Sequence, residues 1–330
     1  MSVNSGFDDL QATVNASPES LKEARRRRDV FRAALGGAAD IVEIIPTGSV
    51  ARGTQRDPIH DVDLVAVFDA ESHDNWGTPG DSAEAALEHT RGRVKDLLGS
   101  SGSHSEEVRF TRLNNHSLKC FLDNPEDTDP FTVDVTPALR QAGGVLLIPE
   151  RLNREWILSN PEHLNGEVAR RHAEWNQFAR LVRVLRRWNT DQGKVMKPLV
   201  IEVLALTHLP VDDRPQALKR FFAAARTAVL SPVCDPAGLC GEIQPDLDRQ
   251  KASDLLAAAA DLAWRAVYAD EQDKGATAMC LWNQVFGDIY PEPICGCSGS
   301  GAATTAATAA AGLAVTTAAP KRPIRDAPQG

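Results

Sequence analysis

The chain carries TGSVARGT at residues 47–54 and DVDLVAVF at residues 61–68, and these two segments decide its fold. Side chains alternate between the two faces of a strand, so Asp61 and Asp63 point the same way. Neighbouring carboxylates repel each other unless a cation lies between them, and Mg²⁺ prefers carboxylate oxygens while leaving positions open for phosphate. The backbone N–H groups and hydroxyl of the Gly48–Ser49 turn can contact a phosphate. This combination indicates nucleotidyl transfer.

A third aspartate, Asp134, lies within the apolar run VDV at residues 133–135. A lone carboxylate in a buried strand is costly. We expect this strand to lie beside the one that carries Asp61 and Asp63, so that all three candidate catalytic residues bind two Mg²⁺ ions. One ion would carry a nucleoside triphosphate, and the other would lower the pKa of an attacking hydroxyl, with Asp134 as ligand or proton acceptor. The alternative is that Asp61 caps a turn and Asp134 faces solvent from an edge strand.

The Gly48–Ser49 turn is the candidate holder of the donor triphosphate. Gly48 and Gly53 partly match the pattern GxxxxGK[ST], but Thr54 stands where that pattern has Lys. Without the Lys, the terminal phosphates lack their cation, which argues against a P-loop NTPase. Ordinary turn chemistry is the alternative interpretation of the two glycines.

A basic cluster follows on a predicted helix. Its members on one helical face are three arginines three and four residues apart, namely Arg180, Arg183 and Arg187, with Arg186, Lys194 and Lys197 nearby. Such a cluster is either a solvated face or a cationic wall that offsets the charge of a triphosphate. Arg187 and Lys197 are our candidate phosphate ligands.

The composition is that of a globular protein. The net charge of −9 over 330 residues argues against a broad surface for duplex nucleic acid. No apolar run reaches membrane-spanning length, and the start lacks a secretory signal, so we expect a cytoplasmic protein without a membrane partner.

The six cysteines leave two readings open. Free thiols are the default in a cytosolic chain. Cys234 and Cys240, together with Cys295 and Cys297, have a spacing that could form a zinc site, although the usual C-x2-C knuckle is missing.

The order of the predicted elements indicates an α+β fold. Strands dominate residues 1–150, which we interpret as a mixed-sheet catalytic domain with an N-terminal helix, and long helices dominate residues 151–297. One of these helices is predicted over Asn165–Asn189. Residues 298–330 are rich in Ala, Thr, Gly and Pro, and we expect a disordered tail.

Two segments carry a resemblance to a known family. TGSVARGT at 47–54 and VDVTPA at 133–138 resemble the GSxARGT and VDVxPA segments of the oligoadenylate synthetases and of the bacterial cyclic-oligonucleotide synthases (CD-NTases) of antiphage defence. These belong to the polymerase-β-like nucleotidyltransferase superfamily. LRRW at 185–188 and KPLVIEVL at 197–204 are similar to two of their helical segments, although Arg stands where Lys is often found.

The resemblance implies a bilobed fold, with a nucleotidyltransferase core, a helical C-terminal lobe and a central cleft. It implies Mg²⁺-dependent joining of nucleoside triphosphates into a cyclic di- or trinucleotide second messenger in antiphage signalling. In some bacterial relatives a conjugation system attaches the extreme C-terminus to a target, and the tail ending at Gly330 offers such a site; an inert linker is the alternative.

Two rival functions remain at this stage. The same chemistry could act on an RNA 3′ end, a small molecule or a protein. A rival of another class is an inactive module that senses nucleotides. The residue pattern leaves open the base specificity, the linkage, the ring size, the activating signal and the oligomeric state.

Overall fold

The computed structural model describes residues 2–100 and 107–292. In chain order, its elements are α1 (Val3–Val14), α2 (Pro18–Gly36), β1 (Ile41–Thr47), α3 (Gly48–Arg52), β2 (Asp61–Phe68), α4 (Ser82–Leu98), β3 (Phe110–Leu113), β4 (Leu118–Phe121), β5 (Thr132–Arg140), β6 (Leu146–Glu150), β7 (Glu155–Ser159), α5 (Pro161–Glu174), α6 (Phe178–Asp191), α7 (Pro198–His208), α8 (Arg214–Ala228), α9 (Arg249–Glu271) and α10 (Gly275–Phe286).

The seven strands form one mixed sheet. Five of them lie in the order β1-β2-β5-β4-β3, and β6 joins β5 to β7. β2 and β5 pair in parallel, whereas the other pairs are antiparallel. This mixed sheet, followed by helices, confirms the predicted α+β class.

The sheet is buried on both faces. One face packs under α2 and α4 through residues such as Phe31, Leu35 and Leu64. A smaller apolar cluster, which includes Val65 and Leu146, covers the other face. β2 is therefore apolar at almost every position, as expected for a strand with cover on both sides.

The helical lobe has its own core, and α1 belongs to it. Phe7 and Leu10 are fully buried among residues of α6 to α10, and the Phe7 ring packs edge-on against Trp282 at 5.0 Å. The polar start of the chain does not predict this helix. Its apolar residues recur on one face, and Ser2 caps its first turn.

The predicted helix over 165–189 is wrong as a single element. α5 ends at Glu174, and α6 begins at Phe178. Trp175 between them is extended, with φ −151° and ψ 106°, and packs against the helical core. The break thus falls at a residue that contacts the helical core, and tertiary packing can override a local helical pattern.

Several sequence-based expectations concern residues outside the described ranges. They are the disordered tail over 298–330, the conjugation site at Gly330, and Cys295 and Cys297. No helix within residues 2–100 and 107–292 combines the length and the apolar character needed to cross a bilayer. The domain boundaries at 150 and 297 stay predictions.

Candidate active site

The strand register brings the three predicted aspartates to one region of the sheet. Asp63 of β2 pairs with Asp134 of β5 on one side and with Thr47 of β1 on the other, and Lys119 of β4 pairs with Asp134. Residues in register across a sheet point to the same face. Asp61 precedes Asp63 by two positions and lies on that face as well. The row Lys119, Asp134, Asp63 and Thr47 thus crosses four strands.

Gly48 lies directly against Asp63. Its φ of +72° is in the left-handed region, and a Cβ added there would lie 1.8 Å from Asp63 Oδ2. Only glycine permits this approach of backbone to carboxylate. Ser49 follows in the first turn of α3 and is partly exposed. The turn and the carboxylates therefore form one site.

The site carries more negative than positive charge close to Asp63. Burial raises the pKa of Asp63 to about 8, and the charges of Asp61 and Asp134 add to the rise, while Arg52 and Lys119 oppose it. Lys119 Nζ lies 3.5 Å from Asp134 Oδ1. A divalent cation would relieve this repulsion, so the donor set fits Mg²⁺.

The spread of the carboxylates bears on how many ions they suit. Within the described ranges, Asp61, Asp63 and Asp134 are not among the groups of three or more His, Cys, Asp or Glu side chains that could hold one metal ion together. A pair of ions, typically ~3.5–4 Å apart, needs ligands distributed over a wider area. The number of ions stays a prediction.

A buried ion pair joins α3 to the helical lobe. Arg52 donates to both carboxylate oxygens of Glu202 in α7, with Nε–Oε1 at 2.9 Å and Nη2–Oε2 at 3.1 Å. The Thr54 hydroxyl donates to Glu202 Oε1 at 2.8 Å. The Arg52 and Glu202 side chains are only 4% and 1% exposed. Burial raises the pKa of Glu202, but Arg52 outweighs burial and the pKa lies below its usual value.

Part of the basic cluster on α6 holds the same loop. Arg183 Nη1 donates to Gly53 O at 2.6 Å, and Arg186 Nη1 donates to Thr54 O at 2.7 Å. These contacts are neither of the two roles considered for the cluster, because the arginines face the protein backbone. They fix the segment that follows Gly48 from the side of the helical lobe.

Arg187 and Lys197 lie on the helical lobe, outside that set of loop contacts. Arg187 Nε lies 2.9 Å from both carboxylate oxygens of Asp191, and the arginine is one-third exposed. Lys197 is the N-cap residue of α7, and its backbone N–H donates to Gln244 Oε1. Burial lowers the pKa of Arg56, and the charge of Arg187 lowers it further, while the charge of Asp191 opposes both. The phosphate role of Arg187 and Lys197 stays a prediction.

Sequence reasoning missed Lys119, Arg56 and the role of Glu202. Lys119 lies on a short strand with no motif around it. Glu202 did give a signal, because it is the one charged residue in the apolar run LVIEVLAL at 199–206. A charge in such a helix requires a partner.

The proposed cysteine site can be followed only in part. Cys234 is a reduced, exposed thiol, and the Cys240 thiol donates to Leu158 O at 2.8 Å. Cys295 and Cys297 lie outside the described residues. The zinc hypothesis for these four cysteines stays untested.

Comparison with known proteins gives a consistent result. Residues 1–171 match the family model described as the Second Messenger Oligonucleotide or Dinucleotide Synthetase (SMODS) domain. A protein of Bacillus cereus strain VD146, called a probable cyclic nucleotide synthase, is 23% identical over 326 residues, which cover 87% of this chain and 97% of that protein.

The fold is also found in solved structures. The structure of Escherichia coli MS115-1 CdnC with ATP has a TM-score of 0.67 at 16% identity, covering 88% of this chain and 99% of that one. The CD-NTase CdnG of Bradyrhizobium diazoefficiens, in complex with GTP, has a TM-score of 0.61 at 13% identity, covering 86% and 97%. A further structure shows E. coli CdnC in complex with HORMA-deltaN, with a TM-score of 0.64 at 16% identity and coverage of 88% and 98%.

The raised pKa of Asp63 predicts a pH-dependent effect of the Asp63→Asn substitution on stability. Its folded pKa of about 8 lies above the model-compound value of 3.8. The folded state therefore holds an extra proton between about pH 4 and pH 8, and stability from this group falls as pH rises through that window. Without metal, we expect Asp63→Asn to melt like the wild type at pH 4 but at least ~2 °C higher at pH 8.5.

The control for this measurement is Asp96→Asn, which changes an exposed aspartate on α4. Thermal unfolding at both pH values, with and without Mg²⁺, provides the comparison. Mg²⁺ should raise the wild-type midpoint at pH 8.5 more than that of Asp63→Asn. If the unfolding midpoints of the wild type and Asp63→Asn change with pH in parallel, ionisation of the Asp63 carboxylate does not destabilise the folded protein.

The contact between Gly48 and Asp63 predicts a difference between two glycine substitutions. Both Gly48 and Gly53 have positive φ, but a Cβ at Gly53 meets no atom within 4 Å. Gly48→Ala and Gly53→Ala therefore share the backbone strain, and only Gly48→Ala displaces the carboxylate. Titration calorimetry with Mn²⁺ should show binding at least ~10-fold weaker for Gly48→Ala than for Gly53→Ala. Equal Mn²⁺ affinities for the two variants would show that the contact between Gly48 and Asp63 does not contribute to metal binding.

Proposed function

This chain belongs to the Second Messenger Oligonucleotide or Dinucleotide Synthetase family, and we propose that it joins nucleoside triphosphates into a cyclic di- or trinucleotide. Family membership makes it a nucleotidyltransferase of the polymerase-β-like superfamily and an enzyme of the cyclic-oligonucleotide synthase class. The register that sets Asp63 beside Asp134, with Asp61 on the same face, is the observation that carries the assignment of the site.

We assign Asp61, Asp63 and Asp134 as the residues that hold two Mg²⁺ ions. Bound there, the ions would offset the charge of the triphosphate and lower the pKa of the acceptor hydroxyl. Support comes from the excess negative charge around Asp63, whose pKa rises through burial and through its two acidic neighbours.

The protein's own residues would position the donor triphosphate and the acceptor hydroxyl. Gly48 lets the Asp63 carboxylate lie against the turn, and Ser49 would offer its hydroxyl and N–H to a phosphate. Arg56, Arg187 and Lys197 would bind the outer phosphates of the donor. In the reaction, the acceptor 2′- or 3′-oxygen forms a bond to the α-phosphorus, and the bond to pyrophosphate breaks. Asp134 would take the proton of the hydroxyl.

The biological setting is inferred from relatives. E. coli CdnC has been solved in complex with HORMA-deltaN, so a protein of this fold does bind a protein partner. We propose that the product here is a cytoplasmic second messenger in antiphage signalling, and that a partner protein regulates its synthesis. The conjugation of Gly330 stays a separate hypothesis.

Two alternatives are weaker. A transferase acting on an RNA 3′ end, a small molecule or a protein would need an added acceptor. An inactive nucleotide-sensing module has no need of three acidic residues converging at a glycine turn. Both alternatives differ from the synthase in what happens when triphosphates are supplied alone.

The test is incubation of the full chain with the four labelled nucleoside triphosphates and Mg²⁺, without any acceptor. We expect phosphatase-resistant products whose masses are those of cyclic di- or trinucleotides. Asp63→Asn and Asp134→Asn should each fall below about one thousandth of the wild-type rate, because each removes a metal ligand. Asp96→Asn is the matched control and should keep full activity.

Two results would contradict the proposal. A requirement for an added acceptor would support the rival transferase. Thermal stabilisation by triphosphate and Mg²⁺ without turnover would support the sensing module.

A further inference from the structure

A second cluster of ligand-type side chains lies at the other end of β1 and β2. Asp40 directly precedes β1, His73 lies in the segment after β2, and His89 is on α4. The Asp69 N–H donates to Asp40 O at 2.9 Å, which ties the segment to the start of β1. The length of β1, seven residues, separates this cluster from Gly48 by roughly 20 Å.

The geometry of the cluster is compact. His89 Nε2 lies 2.7 Å from Asp40 Oδ2, and His73 Nε2 lies 3.4 Å from the same oxygen. Their ligand atoms all lie within 4.8 Å of one another, and no other group of three within residues 2–100 and 107–292 is arranged in this way. Tetrahedral zinc, with bonds of about 2.0–2.1 Å, separates its ligand atoms by roughly 3.3 Å. His73 Nε2 is already at about this separation from Asp40 Oδ2, whereas His89 Nε2 would have to move away from that oxygen by roughly 0.6 Å to admit the ion.

Two polar atoms in the cluster are buried without hydrogen bonds. They are Asp40 Oδ1 and His73 Nε2. Each of the two side chains is only 10% exposed. Buried polar atoms without a hydrogen bond are rare and cost free energy. A cation bound by both residues would supply the missing partner.

Aromatic rings fix the orientation of the imidazoles. His73 stacks on Trp76 with centroids 4.0 Å apart, and His89 packs edge-on against Phe68 at 5.6 Å. His89 is 34% exposed, which leaves a path from solvent to the cluster. Rigid ligands and an open approach are both properties of a working metal site.

We propose that Asp40, His73 and His89 form a site for a divalent transition metal, with Zn²⁺ as the best match. Two imidazole nitrogens and one carboxylate oxygen are ligands that Zn²⁺ accepts, and water would complete the tetrahedron. Metal binding through His89 Nε2 uses the lone pair of that nitrogen, so a proton on Nε2 would move to Nδ1 or to solvent. The ion would link α4 and the segment after β2 to the start of β1.

Arg93 provides a way to separate a metal site from an ordinary ion-pair network. Its Nε and Nη2 lie 3.2 Å and 3.0 Å from Asp40 Oδ2. In a network, Arg93 is a stabilising member. In a metal site, its positive charge opposes the ion. The substitution Arg93→Gln therefore has different consequences under the two interpretations.

The experiment is titration of the full chain with Co²⁺, a spectroscopic substitute for Zn²⁺, in excess Mg²⁺ to occupy the carboxylate site. We expect a visible ligand-field absorption that saturates at one ion per chain. His73→Gln and His89→Gln should weaken this binding at least ~10-fold. Arg93→Gln should strengthen it by about tenfold. The control His172→Gln changes an exposed histidine on α5 and should bind as the wild type does.

Thermal unfolding with Zn²⁺ gives a second readout. The midpoint should rise for the wild type and more for Arg93→Gln, because a ligand that binds only the folded state stabilises it. The same absorption in the wild type, His73→Gln and His89→Gln would overturn the proposal. The absence of Co²⁺ binding in both the wild type and Arg93→Gln would also overturn the proposal. Neither result would bear on the proposed synthase reaction, which takes place at the aspartates of β2 and β5.

Discussion

The parallel pairing of β2 with β5 is the constraint on which the candidate active site depends. It sets Asp63 opposite Asp134, and the antiparallel pairings on either side add Thr47 and Lys119 to the same row. A slip of one residue would turn one of the aspartates to the opposite face. The register is secure because Val62 and Val133, one position before each aspartate, are buried in the core beneath α2 and α4. Burial of the two valines thus fixes the face of the sheet on which Asp63 and Asp134 lie.

A second interaction joins the sheet to the helical lobe. Arg52, Thr54 and Glu202 form a buried, hydrogen-bonded ion pair at the end of α3, and Arg183 and Arg186 hold the loop that follows. Removing one partner from such a pair typically costs about 3–5 kcal/mol, because the other charge stays buried. The position of Gly48 relative to the helical lobe therefore depends on α7 as well as on the sheet.

The sequence was most informative where function and local structure coincide. Asp61 and Asp63 in an apolar strand, after a Gly-Ser turn, predicted both a strand and a site, and the mixed sheet agrees with the fold class. The features it missed depend on tertiary contacts. α1 has a polar start but an apolar face that meets the helical core, and Trp175, at the break in a helical pattern, packs against that core. Asp40, His73 and His89 are far apart in the chain, and no spacing rule connects them.

The central claim is that Asp61, Asp63 and Asp134 bind metal together. It is tested most directly by a crystal structure of the full chain with Mn²⁺ and a non-hydrolysable triphosphate, in which anomalous scattering locates the ions. We expect two peaks about 3.5–4 Å apart, with carboxylate oxygens of all three aspartates as ligands. Peaks elsewhere, or an Asp134 side chain that binds neither ion, would contradict it.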